Sequence, residues 1–301
     1  MRYITYLIIV FVALFSRSGL AAEFNMIHMF GASADAIAIG KIKGNSDHSS
    51  AVFGNPAALF RIKKRSLSAF NATIMSDWVH YQSLSFAKTL GRHRLALGRY
   101  TAQVSNIPQV SDFIIQGHDT YRNAIYKLAY QYDLSPSLSL GISPVMYQLT
   151  HANIVARGHN LDLGIIYHPS TFYISILAQN SLTHRQVQYR QPGQQHRYET
   201  LPFQLHLSSK FSLRHSLDFL AQLSLMHQHR LPSFGLIYRP LPFIQFRLGT
   251  SRELNLALRA TQRHCIGTRI QLLGLTLAYT YQVNDFTLDP NQHLFSIHYH
   301  Y

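Results

Sequence analysis

Eighteen histidines in a chain of 301 residues raise metal ligation and acid–base chemistry before any other. Residues two apart on a strand share a face, so His298 and His300 would stand together beside Ser296, and His227 and His229 would pair likewise. A metal centre needs three or four converging ligands with supporting contacts, and no carboxylate or cysteine accompanies either pair. Polar filling of an interior accounts for them better, and neither a metal nor a cofactor is expected. Serine hydrolysis fares no better: no G-x-S-x-G or comparable nucleophile context is present, no oriented base and acid set is visible, and the chain is not expected to be an enzyme. The remaining chemistry is anion binding. In "SLTHRQVQYRQPGQQHRYET", Ser181 to Thr200, Arg185, Arg190 and Arg197 could meet phosphates of lipopolysaccharide or an acidic partner protein; a solvated loop explains them equally well.

The elements that would carry these residues follow from pattern. In "SLDFLAQLSLM", Leu217, Phe219, Ala221, Leu223 and Leu225 alternate with Asp218, Gln222 and Ser224, and "LGLTLAYTYQV" repeats the period from Leu275 to Val283. These are strands with one apolar and one polar face, and about ten residues is what a tilted strand needs to cross a bilayer. Fourteen such strands are expected between residues 66 and 301. Every second connection is short, as at Leu90, Asp133, His168, Ser212, Arg239 and Leu272, whereas the long ones, 104–120, 181–200, 251–262 and 284–292, fall on the other side. A membrane barrel sorts its connections this way. The C-terminal "HLFSIHYHY" sets Phe295, Ile297, Tyr299 and Tyr301 on one face and is similar to the signature by which outer-membrane barrels are recognised for insertion, which implies the barrel-assembly machinery as a partner.

Composition agrees. A net charge of +14 would suit nucleic acid, but the basic residues are scattered apart from "RIKKR", Arg61 to Arg65, so no nucleic-acid groove is expected. Charged residues are only 13%, about half the usual share, and the chain opens with Arg2, an apolar run from Tyr6 to Phe15 and the small-residue exit "SRSGLAA". That is the form of a secretory signal peptide, residues 1–22. A transmembrane helix would meet Arg17 too early. The lone Cys265 allows no intrachain disulfide. The expected location is the bacterial outer membrane, with its lipid and lipopolysaccharide as surroundings.

One segment is neither strand nor clean helix. "GASADAIAIGKIKGNSDHSSAVFGNPAAL", Gly31 to Leu59, resembles the N-terminal signature of the PorV/PorQ-type outer-membrane proteins, relatives of the FadL transporters. The matching positions include Gly31, Gly40, Asp47, Asn55, Pro56 and Ala57; Ser33 stands where that family usually has Arg, and Lys41 where it usually has a second Gly. The resemblance implies a fourteen-stranded antiparallel β-barrel, residues 66–301, with a hatch, residues 23–65, folded into its lumen. Pro56 forbids a sheet interior and turns the chain, and Asn55 is expected to bond backbone groups that the turn exposes. The function implied first is a scaffold or conduit for proteins secreted to, or attached at, the cell surface, with secretion-system proteins as partners. The alternative is FadL-like transport of a hydrophobic ligand, set second because the external loops are expected to be too short for a large surface pocket.

Overall fold

The computed structural model describes residues 30–74, 78–111, 114–169, 172–182, 187–193, 195–213, 216–226, 229–254, 260–284 and 291–301. The signal-peptide region, residues 23–29, Arg185 and His227 lie outside the described residues.

Alternating sequence becomes a closed wall of strands. They are β1 (Arg65–Ile74), β2 (Val79–Leu90), β3 (His93–Ser111), β4 (Ile114–Ser135), β5 (Leu138–His151), β6 (Ile154–Tyr167) and β7 (Phe172–Gln179). The wall resumes with β10 (Gln204–Leu213), β11 (Leu217–Met226), β12 (His229–Leu241), β13 (Ile244–Leu254), β14 (Ala260–Leu272), β15 (Leu275–Asn284) and β16 (Gln292–His300). Each pairs antiparallel with the next, β7 with β10, and β16 returns to β1 through pairs such as Leu67 with Tyr299. Fourteen strands therefore close into a barrel. Closure leaves no open sheet edge, the one arrangement in which strands satisfy their backbone groups without solvent.

The period of two sorts the side chains. Along β1 exposure alternates residue by residue, Ser66 and Ser68 buried, Leu67 exposed. Leu97, Leu128, Leu223, Leu277 and Ile297 belong to an outward apolar belt, each more than a third exposed. The outward stations of β16 are Phe295, Ile297 and Tyr299, with Tyr301 exposed beyond them. None of the described helices is long and apolar enough to cross a membrane. Tight connections such as Gly91–Arg92, Pro136–Ser137, Pro242–Phe243 and Leu273–Gly274 mark one end, here the turn rim; the opposite end is the loop rim.

Two expected loops are shorter than the spacing suggests. Strand pairing continues through 104–120, from Val104–Tyr121 to Ser111–Ile114, across register shifts at Val104/Ile107 and Gln109/Val110. Beyond the apolar belt both faces of a strand meet water, so the hydrophobic period fades while the backbone ladder persists. Within 181–200, β8 (Val187–Arg190) and β9 (Arg197–Glu199) form a hairpin that adds to β6 above its pairing with β7.

Residues 30–62 form helix α1 (Ala34–Ala38) and two short 3-10 turns, Ser49–Phe53 and Pro56–Arg61. The segment touches all fourteen wall strands: Ser66, Ser83, Tyr100, Gly141, Gly164, Ser175, Ser208 and Gln222 on one arc, Gly235, Arg247, Arg269, Thr280 and Ser296 on the other, with β4 beside the second turn. Only the interior of a closed barrel offers such contacts.

Candidate functional site

The segment fits because the wall makes room for it. Gly141, Gly164 and Gly249 lack side chains where Ala57, Asn55 and Gly40 press against the strands, and a Cβ at any of them would collide with the segment's own atoms. Strand glycine marks close backbone approach. Asn55 caps the second 3-10 turn, with Pro56 in the position that needs no N–H donor. The Asn55 Oδ1 accepts from Ala57 N at 2.9 Å, while Nδ2 donates to Ser175 Oγ at 2.8 Å and to the Ile176 carbonyl at 3.1 Å. The turn bonding expected of Asn55 is present, and it extends to the wall.

Charge is concentrated where α1 meets the strands. Asp35 lies 2.8 Å from His48 Nε2 and 3.4 Å from His298 Nε2, and the two imidazoles stack with centroids 3.6 Å apart. Arg247 reaches the Asp35 carbonyl at 2.9 Å, and Arg269 holds Asp47 at 2.9 Å and approaches Asp35 at 3.8 Å. Burial would raise both carboxyls, but His48 and His298 hold Asp35 well below the usual carboxylate range, and Arg269 does the same for Asp47.

Two sequence expectations change here. His298 does have a carboxylate companion, Asp35, which a reading confined to one strand could not find because the two are far apart in the chain. Asp35, His48 and His298 converge as a metal site would, yet two guanidiniums lie within 4 Å of Asp35 and already balance Asp35 and Asp47. A dication would add uncompensated positive charge in a buried site. An oriented acid, base and hydroxyl set also exists: Asp35 Oδ2, His48 and Ser50 Oγ, the last 2.8 Å from His48 Nδ1. The cavity that Ser50 lines is about 30 Å³, room for a water-sized molecule and not for a substrate.

The lumen is divided by chemistry. From β1 to β6 the inward residues toward the loop rim are largely aromatic or apolar, Phe70, Tyr81, Tyr100, Ile125, Tyr147 and Leu149 at most 3% exposed, with Ser83 and Asn123 among them and the buried ion pair of Lys127 with Asp162 one step below. Phe30 packs on Tyr81 at 4.6 Å and Phe53 on Tyr100 at 4.8 Å. From β10 to β16 the inward residues include Gln204, His206, Gln222, Arg247, Arg269 and Gln282, with Leu220, Ile237 and Leu294 interspersed, all buried. Sequence reasoning assigned the whole inner face as polar; the aromatic half was missed, although Tyr81, Tyr100 and Tyr147 each occupy polar-face positions of their strands. Arg190 and Arg197 lie exposed on the β8–β9 hairpin, away from this lumen. His300 is half-buried and His229 lies at the start of β12.

No protein-family model matches the chain, and no curated protein matches it in sequence. Solved structures share its fold. The toluene transporter TodX of Pseudomonas putida superposes with a TM-score of 0.67 at 11% identity, over 90% of this chain and 99% of that one. The toluene transporter TbuX of Ralstonia pickettii gives 0.64 at 13%, over 90% and 98%. A FadL homologue of Pseudomonas aeruginosa gives 0.59 at 10%, over 93% and 99%. At these identities the likeness establishes a common barrel architecture.

Proposed function

We propose that the chain is an integral outer-membrane channel for a hydrophobic small molecule, with residues 30–62 as a hatch that must shift for passage. The observation that carries the reading is the aromatic half-lumen. A barrel passing ions or sugars lines its interior with polar groups; Phe70, Tyr81, Tyr100 and Tyr147, now covered by the segment, would offer aromatic surface suited to apolar cargo once it shifts. The cavity of about 30 Å³ beside Phe53 is too small for such cargo, so passage there would require the segment to shift. The fold likeness to proteins named as toluene transporters supports an aromatic hydrocarbon as the cargo class.

The outward belt supports a membrane location, and an exported chain with this topology would face the periplasm with its turn rim. Residues 1–22 are the proposed export signal, and Phe295, Ile297, Tyr299 and Tyr301 the proposed insertion signature. The secretion scaffold of the PorV/PorQ type, placed first from sequence, draws no support from the lumen, because surface attachment of proteins requires no buried aromatic lining.

The test is uptake of labelled toluene by liposomes carrying the mature chain, with folding verified by heat-modifiable gel migration. Entry above empty vesicles is expected, with Tyr100→Arg returning it to that background. Equal rates for Tyr100→Arg and the parent, or a sugar entering as fast as toluene, would sink the reading.

A further inference from the structure

The sequence contains one dense basic run, "RIKKR", that channel function leaves unused. It leads from the lumenal segment into β1 at the turn rim, where a groove of about 640 Å³ opens. Lys63, Lys64, Arg65, Lys88 and Arg94 line it, and no carboxylate does. Arg94 is already paired with Asp133; Lys63, Lys64, Arg65 and Lys88 are exposed and have no ion pair among the described residues.

Placement narrows what the groove can hold. Arg65 and Lys88 are direct cross-strand partners on the outward face, and like charges set opposite each other destabilise a sheet pair unless an anion lies between them. The next outward pair up the wall is Leu67 with Phe86, and Leu95 is the partner of Lys88 on β3. Arg65 also stacks over the Tyr301 ring at 5.4 Å. Arg65 and Lys88 thus mark the lower border of the apolar belt, where an interfacial aromatic and a head group meet, with Lys63 and Lys64 just before β1.

We propose that this groove seats the phosphate of an anionic phospholipid from the leaflet on the turn side, its acyl chains lying along Leu67, Phe86 and Leu95. An acidic protein would need the cations alone; their continuity with lipid-facing apolar residues favours a lipid. The inference rests on the membrane-spanning part of the proposed function.

Native mass spectrometry of the detergent-purified mature chain, offered equal phosphatidylglycerol and phosphatidylcholine, tests it. Preferential retention of phosphatidylglycerol by about tenfold or more is expected from several cations at a membrane surface. The variant K63Q/K64Q/R65Q/K88Q should lose that preference, and R190Q/R197Q at the loop rim should keep it. K63Q/K64Q lies outside the strands, so should the fourfold variant fail to fold it still must lower the preference. Equal retention of the two lipids, an unchanged preference in these variants, or full displacement of phosphatidylglycerol by polyglutamate at matched charge would each overturn the proposal. A chain that stays monomeric and water-soluble without detergent, retaining neither lipid, would instead refute the membrane barrel itself.

Discussion

At the scale of single residues, the lumenal segment is held by side chains bonded to the wall, and Asn55 is the one whose amide is used at both ends. Asn55 makes three hydrogen bonds in a buried site, so Asn55→Ala would leave a backbone N–H, a hydroxyl and a carbonyl short of a partner. Each net bond contributes about 1 kcal/mol, and a loss of about 2–3 kcal/mol is expected, read as a lower thermal midpoint in detergent; Asn55→Asp should be no milder, because its second oxygen would face the Ile176 carbonyl to which Nδ2 now donates and bring a charge into a buried site. The carboxylates make a pH-dependent contribution. Burial opposes ionisation of Asp35 and Asp47, yet the imidazoles and Arg269 outweigh it and lower both groups in the folded state. A depressed folded value stabilises above the unfolded carboxyl pKa of about 4 and is lost progressively as pH falls below it. The midpoint should therefore be flat from pH 8 to 5 as far as these groups decide it and fall below pH 4, less steeply in Asp47→Asn. Lys41 is the costly position: it stands at φ +58, a region L-residues enter at about 1 kcal/mol or more, where the resembled family usually has glycine. Its Nζ lies 2.8 Å from Glu253 on β13, which gives the side chain a reason to be there.

At the scale of elements, wall glycines and the segment depend on each other. Gly141 on β5 and Gly249 on β13 lie where the segment passes against two different arcs of the wall. Gly141→Val should displace the Asn55–Ala57 turn while leaving the barrel closed, since the β4–β5 and β5–β6 ladders do not involve the segment. The readout is trypsin cutting at Lys41, Lys43 or Arg61 in otherwise heat-modifiable protein; a segment as protected as in the parent would contradict the packing account. These glycines also show what the sequence made legible. Strand period in β11 and β15 revealed which residues face inward, and short turns revealed which connections share a rim. Neither reveals depth or neighbours across the lumen, so nothing in the strand pattern told that Gly249 and Gly164 receive Gly40 and Asn55. The Asp35–His48–His298–Arg247–Arg269 cluster stayed hidden for the same reason: its members lie on α1, a loop and three strands, brought together only by closure. The extension of β3 and β4 past Val104 was missed because alternation reports burial contrast, and that contrast ends where the belt does.

For the whole molecule, the deciding quantity is what surrounds the wall. A soluble sandwich and a membrane barrel both alternate, but only the barrel exposes its apolar face all round. Leu97 on β3 is 57% exposed and Val110, farther along the same strand, is 61% exposed, so solvent accessibility alone treats them as equivalent. Their positions differ: Leu97 pairs with Phe86 and Leu128 inside the belt, whereas Val110 lies in the projecting hairpin opposite Ile115. An arginine on the lipid face costs about 2–4 kcal/mol near the midplane and about 0–1 near the interface. Leu97→Arg should therefore lower the folded fraction in a lipid-vesicle refolding titration, and Val110→Arg should leave it nearly unchanged. In water the two substitutions would be alike, each replacing an exposed apolar side chain with a soluble one. Equal behaviour in vesicles would mean that hydrocarbon does not surround the belt, and the contrast between the two positions is thus a direct measure of the solvent this fold is built for.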